Sequence, residues 1–179
     1  MCDDSEKEIV MKKETVDIEN MRERVMLSKD TVWGILSLKK GVGKTYISER
    51  LVESLSRSGK KVIYISFTKD GVNEPKELVT ELDKQGCLEK VVYSETFQQM
   101  IEQYKQEYNY IIIDMMSLEE NSIAKRISFL CDNNFVVVSK DVEHGEEVGK
   151  AIQQLKNLDI NLAGIVLNEY HEKKILLRM

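Results

Sequence analysis

The sequence predicts a single α/β domain with a mostly parallel, twisted β-sheet and helices on both of its faces. Three observations lead to this prediction: short, β-branched-rich apolar runs recur along the chain, stretches of helical periodicity separate them, and the connections are too short for separate domains. Strands buried on both faces form nearly continuous apolar runs, and such strands belong to parallel sheets. The regular alternation of the two patterns therefore favours one layered domain.

The apolar runs give the predicted strands in chain order. They cover residues 31–38, 61–67, 90–94, 110–114, 134–139 and 162–167. Amphipathic stretches between them predict helices within residues 45–59, 74–86, 95–106, 117–131 and 146–158. In the first of these helices Ile47, Leu51 and Leu55 recur at i, i+4 and i+8, and Gly59 follows as a stop signal. A further helix, within residues 15–27, precedes the first strand and is expected to lie outside the sheet.

Composition and charge narrow the function classes. The 179-residue chain carries 26 basic and 31 acidic residues, a formal net charge of −5. This balance disfavours a general attraction to nucleic acid, so no nucleic-acid partner is expected. No apolar run reaches the roughly 18 residues that a membrane span needs, and the N-terminus has no apolar stretch typical of a signal peptide. We therefore expect a cytoplasmic protein.

The stretch KKGVGKT, residues 39–45, lies between the first core strand and its helix. Gly41 and Gly43 let the backbone turn so that successive N–H groups point inward and form an anion nest at a helix N-terminus. Lys44 is expected to reach the phosphates, and Thr45 to place a hydroxyl on Mg²⁺. The alternative is a glycine-rich turn with an accidental lysine, although strand before and helix after are the context that the motif requires. The predicted nucleotide-binding residues here are Lys39, Lys40, Gly41, Val42, Gly43, Lys44, Thr45 and Tyr46.

A second polar position follows a later strand. Asp114 ends the apolar run YIIID. A carboxylate at this point can hold a Mg²⁺-bound water opposite Thr45. The alternative is a strand-ending aspartate that caps the next turn. The sequence therefore predicts Lys44 and Asp114 as catalytic residues and Thr45 and Asp114 as magnesium ligands.

The loop resembles the deviant Walker A loop of the cell-division-site and plasmid-partition ATPases, the MinD and ParA families, which usually reads K-G-G-x-G-K-[ST]. Leu38 and Lys40 stand where glycines are usual. In that family the first lysine reaches across a dimer to the partner's nucleotide, and the resemblance gives this role to Lys39. It implies a P-loop NTPase domain over residues 31–170. We expect a disordered tail (1–14) and an N-terminal helix (15–30) before that domain, and a short basic-apolar tail (171–179) after it.

Most of residues 19–170 also resemble the cytoplasmic domain of the bacterial tyrosine kinases (BY-kinases) of capsule and exopolysaccharide synthesis. Glu19 and Arg22 resemble the first part of that family's E-x-x-R-x-x-R oligomerisation motif, and Val25 replaces the second arginine. The resemblance implies ATP and Mg²⁺ as cofactors, a homo-oligomer with Glu19, Arg22 and Lys39 as contact candidates, and a membrane adaptor that recruits the protein to the inner face of the membrane. The alternative for Glu19 and Arg22 is a charge pair on a helix.

Three further positions bear on the base and on catalysis. Asn168 resembles the asparagine with which the family reads the adenine edge, which favours ATP, although an asparagine in a strand-ending turn is the alternative. The family's second strand reads I-D-x-D, and its aspartates bind metal and position a base or water. Here Ser66 and Thr68 replace both carboxylates. A neutral hydroxyl is a poor base near pH 7 and neutralises no metal charge.

The phosphoacceptor region departs from the family as well. BY-kinases autophosphorylate a C-terminal tyrosine cluster, whereas Tyr170 is the single tyrosine of this C-terminus. Three hypotheses therefore stay open: an ATP-binding protein like the BY-kinase domains, a non-catalytic nucleotide-binding regulatory subunit, and a dimeric MinD/ParA-type partition or positioning ATPase. Whether the protein is an enzyme is not decided by the sequence.

Overall fold

The computed structural model describes residues 18–68, 71–75, 78–80, 86–139 and 145–168. The elements are, in chain order, α1 (residues 18–27), β1 (Val32–Leu36), α2 (Lys44–Arg57), β2 (Val62–Thr68), β3 (Gly71–Glu74), α3 (Leu88–Val92), α4 (Glu95–Glu107), β4 (Tyr110–Asp114), α5 (Ile123–Leu130), β5 (Asn133–Val138), α6 (Gly145–Asn157) and β6 (Leu162–Leu167). Residues 78–80 are helical as well. Within these ranges no helix combines the length and apolar character that a membrane crossing requires.

The strands form one sheet in the order β3-β2-β4-β1-β5-β6. Five of them run parallel, and the edge strand β3 pairs antiparallel with β2. The predicted α/β fold with a mostly parallel sheet is therefore confirmed. β1 lies between β4 and β5, so the chain leaves β1 toward one half of the sheet and returns to the other half later. Ligands of open α/β sheets bind at such a switch point, outside the carboxyl ends of the strands.

Helices cover both faces of the sheet. α1 and α2 pack on one face, where Leu51 and Leu55 join a cluster with Trp33 and Ile112, and α3 to α6 pack on the other. α1 is part of this core, because Ile18, Met21 and Val25 are buried against the first face. Full burial of such a side chain contributes about 1.5–3 kcal/mol. Both faces of the central strands are thus closed to water, and the polar groups at the strand ends remain to form a site.

One predicted strand is wrong. Residues 90–94 fall in α3 and the turn after it, because Leu88, Val91 and Val92 are buried together at helical spacing. The Ser94 hydroxyl then accepts a hydrogen bond from the N–H of Phe97 at 3.0 Å and begins α4. The sixth strand is β3 instead, which carries no apolar run.

Several sequence predictions concern residues that the structure does not describe. The tails of residues 1–14 and 171–179 lie outside the described ranges, as does Tyr170. Of the helix expected within residues 74–86, residues 78–80 are helical, and 76–77 and 81–85 lie outside the description.

Candidate functional site

The loop between β1 and α2 has the backbone of an anion nest. Gly41 and Gly43 adopt left-handed conformations, with φ of 81° and 87°. The Ser37 hydroxyl donates to the Lys39 carbonyl at 2.7 Å, and the N–H of Ile47 donates to the Gly43 carbonyl at 3.1 Å as α2 begins. The first N–H groups of a helix have no partner within the helix, and its dipole favours negative charge there. The loop therefore presents α2 to an anion at the switch point of the sheet.

Asn168, which follows β6, supports this loop by a hydrogen bond to its backbone. Its side-chain Nδ2 donates to the Val42 carbonyl at 2.8 Å, and its backbone N–H donates to the Val138 carbonyl at 2.8 Å. A Cβ added to Gly43 would lie 2.2 Å from this Nδ2. Gly43 is therefore required both by its backbone angle and by the approach of Asn168. The sequence suggested adenine recognition for Asn168 but not this contact, and the adenine role stays a prediction.

Asp114 is joined to the loop by a hydrogen bond. Its Oδ2 accepts from the Thr45 hydroxyl at 2.7 Å and from the Tyr64 hydroxyl at 3.1 Å. Asp114 is only 2% exposed, and in the described part of the chain its Oδ1 has no hydrogen-bond partner. A buried carboxylate oxygen without a donor is costly, and a cation is one way to satisfy it. Thr45 and Asp114 therefore lie together as predicted, with an oxygen that fits Mg²⁺.

Burial dominates the electrostatics of this pair. It raises the pKa of Asp114 above its ordinary value, against the hydrogen bond from Thr45, the charge of Lys44 and the hydrogen bond from Tyr64. Burial, reinforced by the negative charge of Asp114, also raises the pKa of Tyr64. Tyr64 is therefore a neutral donor, and Asp114 would gain from a nearby cation.

The end of β2 lies beside the end of β4. Ser66 and Asp114 are paired in register, and Tyr64 precedes Ser66 by two residues on the same strand. Side chains alternate along a strand, so all three lie on the face that carries α2. Ser66 is buried, and its side chain opposes the rise in the pKa of Tyr64. The side chain of Thr68 lies outside the described part of the chain.

Three glutamates contact the front of the loop, and the sequence analysis missed them. Lys39 Nζ lies 2.7 Å from Glu147 Oε2 at the start of α6. The backbone N–H of Lys40 donates to Glu119 Oε1 at 2.7 Å, and Lys40 Nζ lies 3.4 Å from Glu120 Oε1. Positions 39 and 147 are 108 residues apart, so no local pattern could have indicated that pair.

The other predicted residues lie at the edges of this region. Tyr46, in the first turn of α2, is 36% exposed. Glu19 is exposed and Arg22 is partly exposed on α1. Among the described residues no group of three or more His, Cys, Asp or Glu side chains could hold a metal ion.

Solved structures share this fold. The kinase domain of VpsO superposes with a TM-score of 0.74 at 15% identity, over 94% of this chain and 100% of that chain. The kinase domain of the Escherichia coli tyrosine kinase ETK gives 0.67 at 14% identity, over 90% and 76%. The MinD cell division protein of Aquifex aeolicus gives 0.56 at 21% identity, over 79% and 70%. At these identities the likeness shows the fold alone.

The sequence itself identifies the family. Comparison with curated proteins gave no match. The profile of the CobQ/CobB/MinD/ParA nucleotide-binding domain, however, matches residues 33–179, which include the loop, Asp114 and Asn168. With the nest at the switch point, this match confirms the predicted P-loop NTPase domain, and the chain belongs to the CobQ/CobB/MinD/ParA nucleotide-binding domain family.

Proposed function

We propose that this protein binds ATP with Mg²⁺ at the loop of residues 39–46 and that, on its own, it turns the nucleotide over slowly or not at all. The observation that carries the proposal is the Thr45–Asp114 hydrogen bond of 2.7 Å beside the buried Asp114 Oδ1, which has no hydrogen-bond partner among the described residues. A hydroxyl and a carboxylate at this spacing, next to a nest of backbone N–H groups, suit an ion shared with phosphates.

Each site residue has a role in the proposal. The backbone from Lys40 to Gly43 surrounds the phosphates, and Lys44 contributes positive charge to them. Thr45 and Asp114 hold Mg²⁺, which neutralises phosphate charge. Asn168 supports the loop and, through its amide, favours adenine.

The low turnover follows from the end of β2. Ser66, in register with Asp114, is a buried hydroxyl that neither accepts a proton usefully near pH 7 nor neutralises a metal. Lys44 and Asp114 remain as candidate catalytic residues, and binding is favoured over chemistry.

The test of binding is thermal melting with and without ATP and Mg²⁺. We expect a concentration-dependent rise in Tm for the wild type. Lys44→Ala should weaken binding about 100-fold, since a hydrogen bond to a charged group contributes up to about 3 kcal/mol. Lys105→Ala is the matched control, because Lys105 pairs with Glu102 on α4 and should leave the shift unchanged. A wild type with no shift would refute ATP binding by the unaltered protein, and a smaller shift with GTP would support adenine preference.

Turnover is measured as release of labelled phosphate and as labelling of protein. We expect neither from the purified protein alone. Rapid release by the protein alone would contradict the low-turnover proposal and restore the kinase or ATPase alternatives.

The family resemblance supports further proposals about partners. We propose a cytoplasmic homo-oligomer with Glu19, Arg22 and Lys39 at its contacts, recruited by a membrane adaptor of polysaccharide synthesis. Light scattering with and without ATP tests the assembly. If Glu19→Ala lowers the measured mass, α1 forms a contact. If Lys39→Ala lowers the measured mass in the presence of ATP but not in its absence, and Glu19→Ala has no effect, the dimer is of the MinD/ParA type.

A further inference from the structure

Glutamate carboxylates from outside the phosphate loop contact the side chains of Lys39 and Lys40 and the backbone N–H of Lys40, at the start of the loop. Glu147 contacts Lys39 Nζ at 2.7 Å. Glu119 accepts the backbone N–H of Lys40 at 2.7 Å, and Glu120 lies 3.4 Å from its Nζ. Two separate segments therefore meet the front of the loop with negative charge.

One of these segments is fixed to the loop along its length. The N–H groups of Leu118 and Glu119 donate to the carbonyls of Ser37 and Leu38 at 2.9 and 3.1 Å. Glu120 Oε2 accepts from the Ser117 hydroxyl at 2.7 Å and from the Ser117 N–H at 3.1 Å. These bonds lower the pKa of Glu120, with Lys40 adding to the effect, so this carboxylate is charged at neutral pH.

Carboxylate and phosphate need the same partners. Both are anions that accept hydrogen bonds from ammonium groups and backbone N–H groups. A polyphosphate that uses Lys39 or the N–H of Lys40 must displace a carboxylate and also meets its repulsion. The repulsion increases with the number of phosphate charges near the front of the loop.

We propose that Glu119, Glu120 and Glu147 act as a built-in competitor for phosphate, which lowers the affinity of the loop for nucleotides and lowers it more for a triphosphate than for a diphosphate. This inference rests on the proposed nucleotide site. It makes the three glutamates specificity-determining residues that adjust the preference between ATP and ADP without contacting the base.

The test is calorimetric titration of ATP and ADP, each with Mg²⁺, into single and double variants. Glu147→Gln removes the charge opposite Lys39. Glu119→Gln keeps an amide oxygen that can accept from Lys40 but removes the negative charge. Both side chains are at the surface, so the variants should fold. We expect ATP to bind about threefold tighter to each variant and about tenfold tighter to the double variant, in line with exposed ion pairs, with a smaller gain for ADP.

Two control variants remove a nearby or equivalent charge without touching the loop lysines. The first is Glu146→Gln: Glu146 is next to Glu147 in the sequence, but it pairs with Lys150 at 2.7 Å. The second is Glu102→Gln: Glu102 pairs with Lys105 at 2.9 Å. Both should bind ATP like the wild type. An equal gain in Glu146→Gln would overturn the inference, because it would show a general effect of net charge.

The remaining outcomes separate the inference from the proposed function. If the wild type binds ATP and the Glu119 and Glu147 variants bind it equally well, the inference is wrong and the nucleotide site stands. If only the variants bind, the competitor is supported in its strongest form. If neither the wild type nor any variant binds, the proposed function is wrong and the inference falls with it.

Discussion

Asp114 on β4 and Ser66 near the end of β2 lie side by side, and the two side chains differ in their functional group. Asp114 ends β4 as a buried carboxylate that accepts hydrogen bonds from Thr45 and Tyr64. Ser66, in register with it on β2, offers only a hydroxyl. The strands are parallel, the side chains share a face, and both are buried. Backbone position is therefore nearly matched, and the difference in charge decides what each end can do.

The comparison separates the groups that would bind a nucleotide from those that would catalyse its reaction. The β4 end is connected to the phosphate loop and would complete a magnesium site together with Thr45. The β2 end is connected through Tyr64 to the same carboxylate but adds no negative charge of its own. Under the proposed function, the fold keeps the contacts that bind a nucleotide, while the hydroxyl one strand away adds neither a base nor a metal ligand of negative charge.

The largest effect is expected from a substitution in the phosphate loop, to which Asp114 of β4 is hydrogen-bonded through Thr45. Gly43→Ala forces a side chain into a left-handed conformation and within 2.2 Å of Asn168 Nδ2, whose bond to Val42 would have to break. We expect a stability loss of about 1–3 kcal/mol and loss of the ATP-dependent rise in Tm. Gly41→Ala is the control, because its φ is similar but no atom lies within 4 Å of the added Cβ. Equal losses in both variants would mean that Asn168 does not restrict the loop.

The next test makes the two strand ends alike. Ser66→Asp places a second carboxylate beside Asp114, and their repulsion should cost about 1–3 kcal/mol of stability without metal. Millimolar Mg²⁺ should restore more stability in this variant than in the wild type, because two carboxylates bind the ion better than one. Melting with and without Mg²⁺ measures this, and Ser66→Asn controls for shape. If Mg²⁺ restores the aspartate and asparagine variants equally, the two ends do not share an ion.

The third prediction removes the charge that distinguishes β4. Burial raises the pKa of Asp114, so folding favours its protonated form. The stability from this group is present at low pH and is lost as the pH rises through the folded pKa. Asp114→Asn should therefore stabilise the protein by about 1–2 kcal/mol at pH 8 and by less at pH 5, while it abolishes the Mg²⁺ dependence of ATP binding. Thermal melting of the wild type and the variant at pH 5 and pH 8 measures this difference. A variant less stable at pH 8 would show that the charged carboxylate is well satisfied.

The fold was predictable where apolar runs were long enough to carry a clear period. β4 was predicted with its bounds, and β1 within two residues at each end, because nearly continuous β-branched runs mark strands buried on both faces. Residues 90–94 were misassigned because periodicity cannot distinguish a short apolar run in a buried helix from a strand. β3 was missed because its sequence, GVNE, has no apolar pattern and its pairing depends on β2.

The site divides in the same way. The proximity of Thr45 and Asp114 was predictable because a phosphate loop and a strand-ending carboxylate are local signals with a known mutual position, whereas the roles of Lys44, Thr45 and Asp114 stay predictions. The support of the loop by Asn168 and the contact of Glu147 with Lys39 were not, since each joins residues more than 100 positions apart. Such contacts depend on which loops the sheet brings to one edge, and that information is not contained in any short segment.

The smallest effect concerns the connection between the two strand ends. Tyr64 belongs to β2, donates to Asp114 on β4 at 3.1 Å, and its hydrogen bond lowers the pKa of Asp114. Tyr64→Phe removes that bond, so the pKa of Asp114 should rise further. At pH 8, where the carboxylate is charged, we expect a stability loss of about 1 kcal/mol, and the loss should shrink as the pH falls.

The pH midpoint of Mg²⁺-dependent ATP binding in Tyr64→Phe should move upward, because Asp114 must lose its proton before it can hold the ion. Titration of binding between pH 5 and 8 measures this shift, with Tyr93→Phe, an exposed tyrosine on the turn after α3, as the control. An unchanged midpoint would mean that β2 does not adjust the charge on β4, and the two ends would then act independently.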